Sequence, residues 1–146
     1  MKKKVLFICI HNSARSQMAE AFFNEICGEH FEAHSAGLEP GKLNPVVVEV
    51  MREMGIDISK NQTKGIFDTY KSGKSFAYVI TVCGQNSSGQ RPIYPGIATR
   101  LEWNFPDPST FKGTYEEKLA KTREVRDAIK EKIEQWYDEV CSLEAA

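Results

Sequence analysis

Near its start the chain reads Val5-Leu6-Phe7-Ile8-Cys9-Ile10-His11-Asn12-Ser13-Ala14-Arg15-Ser16. The first part of this stretch is a continuous apolar run, which is typical of a strand buried on both faces of a parallel sheet. It gives way to residue types that favour turns and helix caps. Apolar residues then recur every four positions up to a stop at Gly28, and they are Ala14, Met18, Phe22 and Ile26. The stretch therefore predicts a strand, a turn and a helix in direct succession.

The rest of the chain continues this alternation. Buried-type strands are predicted at 31–35 and 76–82, with a short strand at 101–105. Helices are predicted at 46–54 after the cap Asn44-Pro45, at 63–70, and as a long amphipathic helix at 115–140. Alternating strands and helices imply β-α-β units, so we expect an α/β fold with a mostly parallel sheet covered on both faces.

Length and composition exclude several classes of protein. The chain has 146 residues, 41% hydrophobic and 27% charged, so we expect one globular domain, residues 1–146. Its formal net charge of -1 gives no electrostatic reason to expect nucleic acid as a partner. The longest apolar runs fall far short of the ~20 residues that span a bilayer, and no secretory signal is recognisable. We therefore expect a cytoplasmic protein with no membrane association.

Four cysteines are present, at positions 9, 27, 83 and 141, with no C-x-x-C pair among them. This spacing argues against a zinc site or a disulfide scaffold, and the three histidines show no ligand spacing, so no metal is expected. In the cytoplasm the thiols are expected to be reduced. Cys9 and Cys83 both end predicted strands, where ligands bind in parallel sheets. These two thiols are therefore candidates for chemistry, although a lone buried cysteine is more often part of a core.

The turn after the first strand has the properties of an oxyanion site. A loop that enters a helix directs unpaired backbone N–H groups and the positive end of the helix dipole at one point. There, the field favours the thiolate of Cys9, and Arg15 can bind two oxygens of an oxyanion. Side chains can assist: the hydroxyls of Ser13 and Ser16 can donate to the thiolate, and Asn12 can brace the loop, while His11 either shapes the loop or lies at its edge. The expected oxyanion-binding residues are Ile10, His11, Asn12, Ser13, Ala14, Arg15 and Ser16.

The pattern Cys-x5-Arg-Ser on a first strand–helix turn resembles the low-molecular-weight protein tyrosine phosphatases. Within that fold, the run from His11 to Glu20 is similar to the thioredoxin-coupled arsenate reductases. Further similar segments are Ser35-Ala36-Gly37, Ile80-Thr81-Val82-Cys83, Pro106-Asp107-Pro108 and the closing helix after Glu116-Glu117-Lys118. The resemblance covers about residues 4–137. It implies a three-layer sandwich, with a four-stranded parallel sheet flanked by helices, and a nucleophile at Cys9.

The resemblance also assigns a general acid, Asp107, which would protonate the leaving oxygen. The two prolines beside it limit its backbone freedom. Phosphatases of this group usually carry tyrosines just after this position, where this chain has Ser109 and Thr110. The difference favours a small inorganic oxyanion, arsenate or phosphate, over phosphotyrosine.

For an arsenate reductase the resemblance implies a relay of thiols. Cys9 would attack arsenic, and Cys83 would then attack the Cys9 sulfur, releasing arsenite and leaving a Cys9–Cys83 disulfide. Relatives carry a third cysteine immediately before a proline, where this chain has Arg91. Three alternatives follow: an external thiol attacks the disulfide directly, Cys141 or Cys27 substitutes, or the protein is a phosphatase or weak reductase. We prefer direct attack by thioredoxin or by glutathione with glutaredoxin.

Two other functions are considered as alternatives to an arsenate reductase. A phosphatase would use a Cys9 phosphoenzyme that water hydrolyses, and would not need Cys83. A non-catalytic oxyanion- or redox-sensing module is disfavoured, because a binder needs neither a nucleophile nor an acid. A dinucleotide-binding domain is disfavoured as well, since the first turn has no G-x-G-x-x-G. We expect an enzyme with no bound cofactor, acting as a monomer.

Overall fold

The computed structural model describes residues 2–83 and 93–145, with side chains up to residue 140. Strands and helices follow one another in the predicted order. In order they are β1 (Lys3–Cys9), α1 (Arg15–Cys27), β2 (Phe31–Gly37), α2 (Pro45–Arg52), α3 (Ile66–Lys71), β3 (Tyr78–Thr81), β4 (Thr99–Glu102) and α4 (Tyr115–Ala145), with a 3-10 turn at Pro108–Thr110 before α4. Within the described part of the chain, no helix is long and apolar enough to cross a membrane.

The four strands form one parallel sheet in the order β2-β1-β3-β4. At the carboxyl edge, Cys9 pairs with Gly37 of β2, and Thr81 of β3 pairs with Glu102 of β4. All four strands therefore end at the same edge, next to the loop that follows β1. The predicted four-stranded parallel sheet flanked by helices is confirmed.

The two faces of the sheet are covered unequally. The side chains of Phe7 and Cys9 belong to the larger cluster, with buried residues of α1, α2 and α4. Aromatic rings fill its centre: Phe23 and Trp136 have centroids 5.5 Å apart. Ile8 points to the other face, in a smaller cluster with α3 and the segment before β4. The arrangement is a three-layer sandwich whose first face is more thickly covered.

Several predicted boundaries are wrong, and the fourth strand shows why. The apolar run predicts a strand at 101–105, whereas β4 is Thr99–Glu102. As an edge strand β4 is mostly exposed, so its sequence lacks the apolar run of a central strand. The apolar residues that follow lie beyond the strand: Trp103 is buried in the larger core, and Phe105 packs against it. The third helix likewise begins later than predicted, at Ile66.

Candidate active site

The loop from Cys9 to Ala14 is held by the segment that follows β2. The backbone N–H groups of residues 38, 39 and 41 donate to the carbonyl oxygens of residues 9, 10 and 11, at 3.0, 2.7 and 2.9 Å. Gly37 lies so close that a Cβ there would come within 2.7 Å of the Asn12 nitrogen. Asn12 itself has φ of 55°, a left-handed conformation in which asparagine is tolerated better than most residues. These contacts determine the path of the loop around the end of β1.

The sulfur of Cys9 lies inside this loop, and the residue is only 3% exposed. Its Sγ is 3.1 Å from the backbone nitrogen of Asn12 and 2.9 Å from the hydroxyl oxygen of Ser16. Asn12 Nδ2 donates to that hydroxyl oxygen at 2.8 Å, which leaves the hydroxyl hydrogen for the sulfur. Both contacts direct a hydrogen-bond donor at the sulfur and fix its position inside the loop.

The other predicted loop residues have supporting positions. Among the described side chains, Ser16 is the hydroxyl that contacts the sulfur and Ser13 is not; the Ser13 carbonyl accepts from Asn44 N at 3.0 Å. The exposed ring of His11 lies within 3.0 Å of the Glu39 carbonyl through Nδ1, at the rim of the loop. Ile10 and Ala14 are buried parts of the loop backbone.

A buried amide that sequence reasoning missed braces the loop from below. Gln17, 0% exposed, has its Nε2 3.1 Å from both the carbonyl and the side-chain oxygen of Asn12, and 3.1 Å from the Gln62 carbonyl. Its side-chain oxygen accepts from Asn61 Nδ2 at 3.2 Å. The sole local sign of this brace in the sequence was a polar residue, Gln17, beside the apolar stripe of α1.

Lys64 supplies a second brace that the sequence did not indicate. Its backbone nitrogen donates to Asn12 Oδ1 at 2.8 Å, and its ammonium lies 3.7 Å from the carboxylate of Glu20 on α1. Burial raises the pKa of Glu20, and the Lys64 ammonium opposes that rise. The segment before α3 is thereby attached to both the loop and α1.

Arg15 and Asp107 are brought together from opposite halves of the chain. Arg15 Nη2 lies 3.4 Å from Asp107 Oδ2, and its Nη1 donates to the Phe105 carbonyl at 3.1 Å. The other carboxylate oxygen of Asp107 accepts from both the nitrogen and the hydroxyl of Ser109, at 2.9 and 2.8 Å. The carboxylate is therefore oriented by the 3-10 turn and faces the guanidinium. A bound oxyanion would compete with it for Arg15.

Cys83 lies just beyond β3, and at 3% exposed it is as buried as Cys9. Both thiols belong to the larger core cluster, Cys9 at the end of β1 and Cys83 just beyond the end of β3. Burial raises the pKa of the Cys83 thiol to about 11, and the negative charge of Cys9 adds to the rise. Arg15 and the backbone N–H of Ile10 act in the opposite direction. Cys83 thus lies within electrostatic reach of both the nucleophile and the arginine.

The remaining cysteines lie away from this edge or outside what is described. Cys27 is fully buried in the last turn of α1. The side chain of Cys141 lies outside the described residues, as do Arg91 and the stretch from Gly84 to Gln90. Within residues 2–83 and 93–140, no three histidine, cysteine or acidic side chains are grouped so as to hold a metal ion.

These features define a phosphatase-type fold with a thiol at its oxyanion loop. Residues 4–144 match the family described as low molecular weight phosphotyrosine protein phosphatase, and the chain belongs to that family.

Curated relatives and solved structures are similar over nearly the whole chain. An arsenate reductase of Bacillus licheniformis is 42% identical over 94% of this chain and 96% of its own. An arsenate reductase of Bacillus subtilis strain 168 is 39% identical over 94% and 98%. A solved arsenate reductase in the phosphate binding state has a TM-score of 0.72 at 29% identity, covering 94% and 98%. A low molecular weight protein tyrosine phosphatase from T. tengcongensis has a TM-score of 0.69 at 25% identity, covering 94% and 99%.

Proposed function

We propose that this protein is an arsenate reductase, which converts arsenate to arsenite with Cys9 as nucleophile and Cys83 as second thiol. One observation carries the proposal: a second buried thiol lies at the same sheet edge as Cys9, within its electrostatic reach. Phosphate ester hydrolysis has no use for that thiol. The 42% and 39% identity to arsenate reductases supports the same function.

The first step is binding of the oxyanion over the Cys9 sulfur. Arg15 turns from Asp107 and binds two oxygens of the oxyanion. The backbone N–H groups of residues 10–16 donate to the remaining oxygens and stabilise their negative charge. Arg15 Nη1 also donates to the Phe105 carbonyl at 3.1 Å, so the guanidinium is already held in one place before substrate arrives. The positioned donors lower the barrier by meeting charge where it develops.

Covalent chemistry follows from this arrangement. The Cys9 thiolate attacks arsenic, an S–As bond forms, and one oxygen leaves as water after Asp107 in its acid form donates a proton. Arsenic is still in its oxidised state in this adduct. Cys83 then attacks the Cys9 sulfur, the electron pair of the S–As bond passes to arsenic, and arsenite leaves. The two sulfurs have together supplied two electrons and are joined in a disulfide.

The charge on Cys9 helps to time the second step. In the free protein the negative charge of Cys9 contributes to the raised pKa of Cys83, about 11, so Cys83 remains a neutral thiol. Once the Cys9 sulfur is bonded to arsenic, the sulfur no longer carries that charge, and this part of the repulsion is removed. Burial, the larger cause of the raised pKa, still keeps Cys83 neutral until it attacks.

An external thiol must then reduce the Cys9–Cys83 disulfide directly. The reason is that this chain has Arg91 where the resemblance places a third cysteine that would pass the disulfide on. We propose a dithiol protein of the thioredoxin class as donor. A solved thioredoxin-dependent arsenate reductase of Corynebacterium glutamicum supports this choice, with a TM-score of 0.59 at 29% identity. It covers 92% of this chain, which spans 63% of that structure.

The test compares two reactions and two donors. Arsenite production is measured with thioredoxin, with glutaredoxin and glutathione, and with no donor, beside hydrolysis of an aryl phosphate. The proposal expects donor-dependent arsenite production that Cys83→Ser abolishes, because the Cys9 adduct cannot release arsenite without attack by the second thiol. The matched control Cys27→Ala also removes a buried thiol, but one away from the site, and should retain turnover.

A phosphatase is the second candidate, because Cys9, Arg15 and Asp107 suffice for a phosphoenzyme, and the phosphatase neighbour has a similar fold. Phosphate hydrolysis with no arsenate reduction under any donor would favour it. Undiminished arsenate turnover by Cys83→Ser would instead contradict the proposed thiol relay.

A further inference from the structure

We propose that the dithiol reductant attacks the Cys83 sulfur, not the Cys9 sulfur, and reaches it through a groove on the far face of the sheet. This inference rests on the proposed function. The groove has a volume of about 480 Å³ and opens between β3, β4 and the segment before β4. The residues that matter here are Ile8, Cys83, Ile93, Pro95, Arg100 and Glu102.

The position of Cys83 between the two faces of the sheet is the starting point. Cys83 packs in the larger cluster with Cys9, yet it also lines the groove together with Ile8. Ile8 belongs to the opposite cluster, since successive side chains of β1 alternate between the two faces. Cys83 therefore connects the nucleophile on one side to the groove on the other.

Thiol–disulfide exchange imposes a direction of attack. The entering sulfur approaches along the extension of the S–S bond, opposite the sulfur that leaves, through a mixed disulfide. In a Cys9–Cys83 disulfide, Cys9 lies on the side of the oxyanion loop. In-line approach to Cys83 must then come from the other side, where the groove lies.

The leaving groups favour the same sulfur. Attack on Cys83 expels Cys9, whose negative charge is received by the Asn12 nitrogen and the Ser16 hydroxyl. Attack on Cys9 would instead expel Cys83, whose thiolate is disfavoured by burial. A better stabilised thiolate leaves faster, so exchange at Cys83 is the faster route.

The exchange balances in two steps. The first thiolate of the reductant forms a bond to the Cys83 sulfur, and the pair of the Cys9–Cys83 bond goes to Cys9. The second thiol of the reductant then attacks its own partner sulfur in the mixed disulfide, and Cys83 leaves and takes up a proton. The reductant ends as a disulfide, and both cysteines of this chain end reduced.

The rim of the groove fits a protein better than a small thiol. Ile93 is 71% exposed at the rim, and Ile97, beside the neighbouring Tyr94–Pro95 segment, is fully exposed. Covering such side chains stabilises a complex only if the partner presents a surface of its own. Arg100, which donates to the Gly96 carbonyl at 2.8 Å, places a positive charge at the rim that can orient a partner.

Trapping the mixed disulfide tests which sulfur is attacked. The full chain is oxidised with one equivalent of arsenate, and the Cys9–Cys83 disulfide is verified by peptide mass mapping. Thioredoxin carrying serine in place of its second cysteine is then added and the products are mapped. We expect a mixed disulfide at Cys83 and a free thiol at Cys9. A mixed disulfide at Cys9, Cys27 or Cys141 would overturn the inference alone, whereas no Cys9–Cys83 disulfide after arsenate would overturn the proposed function with it.

Variants of the rim test the groove itself. Ile93→Asp and Arg100→Glu should each raise the KM for thioredoxin about tenfold, as loss of one interface contact of about 1.4 kcal/mol does. The ratio of the thioredoxin-driven to the dithiothreitol-driven rate corrects for general damage to the site. Tyr115→Asp, at a side chain 54% exposed at the start of α4, is the matched control and should leave this ratio unchanged. An equal loss with both donors, or turnover with glutathione and glutaredoxin alone, would overturn the proposal.

Discussion

Cys9 and Cys83 are two thiols at one edge of one sheet, each 3% exposed, yet their surroundings act on them in opposite ways. The Cys9 sulfur receives two hydrogen bonds from the loop that encloses it. Cys83 is held in a mainly apolar cluster, where burial and the neighbouring Cys9 charge keep it neutral. Burial alone therefore does not decide the reactivity of a thiol; the donors and charges that face it do.

This difference assigns an order to the chemistry. A sulfur that already receives two hydrogen bonds from its loop suits the first attack, and a thiol that burial keeps neutral suits the second. Changes at either thiol test this order.

Removing the nucleophile should have the largest effect. Cys9→Ser is expected to lower both arsenite production and aryl phosphate hydrolysis by at least about 10³-fold, because a serine hydroxyl is not ionised in this site. Steady-state rates with both substrates check this, with the melting temperature to show that the variant folds. Retention of either activity would place the nucleophile elsewhere.

Raising the pH should activate the second thiol. Because the pKa of Cys83 is about 11, alkylation of Cys83 in the free protein should rise about tenfold per pH unit, or about 100-fold from pH 8 to pH 10. Mass mapping after timed alkylation follows Cys83 separately from Cys9. A Cys83 alkylation rate that levels off below pH 9 would contradict a raised pKa and the apolar environment of this thiol.

The same shift predicts a loss of stability at high pH. The pKa of Cys83 is raised from 9.0 in the unfolded chain to about 11 in the folded protein. The neutral Cys83 thiol therefore contributes its full stabilisation of the folded state below pH 9, and this stabilisation is lost as the pH rises through 11. Cys83→Ala should therefore lose less free energy of unfolding than the unmodified protein between pH 8.5 and 10.5, by about 2 kcal/mol, as the difference between the two pKa values implies. Denaturant unfolding at both pH values measures it, and parallel losses would contradict the shift.

Weakening the support of the first thiol should have a smaller effect. Ser16→Ala removes a hydrogen bond to a charged sulfur, a loss of about 1.5 kcal/mol, so kcat/KM and the alkylation rate of Cys9 at pH 7 should fall about tenfold. Ser13→Ala removes the other loop hydroxyl and should change both rates by less than about threefold, since it makes no contact with the sulfur. Equal effects of the two substitutions would show that the hydroxyl contact is not what distinguishes Cys9.

The smallest effect on the rate is expected for Gln17, which contacts Asn12 and not the Cys9 sulfur. Gln17→Met keeps the volume but removes the donor to both oxygens of Asn12, while Lys64 still donates to that side chain. We expect a loss of at least about 2 kcal/mol of stability, because all four hydrogen bonds of the Gln17 side chain are lost at about 0.5–1.5 kcal/mol each, and a fall of about threefold in kcat. Gln17→Glu, which keeps the acceptor for Asn61, is the comparison. Unchanged kcat with lowered stability would limit Gln17 to a structural role.

Parts of the fold and site whose signal is local were predictable from the sequence. The apolar run ending at Cys9 and the spacing up to Arg15 predict a strand, a loop and a helix, and the structure has β1 and α1 there. The exposed edge strand β4 was misplaced, because it lacks the apolar run on which the prediction depended. The braces from Gln17 and Lys64 were not foreseen, since a buried amide and a surface-type lysine carry no local signature of their partners.

The sequence by itself determined the alternation of strands and helices, the oxyanion loop with its cysteine and arginine, and the resemblance that singled out Asp107 and Cys83. These follow from short-range periodicity and from motifs of a few residues. Tertiary structure decided what those residues face: Arg15 meets Asp107 from 92 positions away, and Cys83 lies within reach of the Cys9 charge and also lines a groove. The reason is physical, since the ionisation and accessibility of a side chain depend on charges, donors and solvent in three dimensions, and distant parts of the chain supply them.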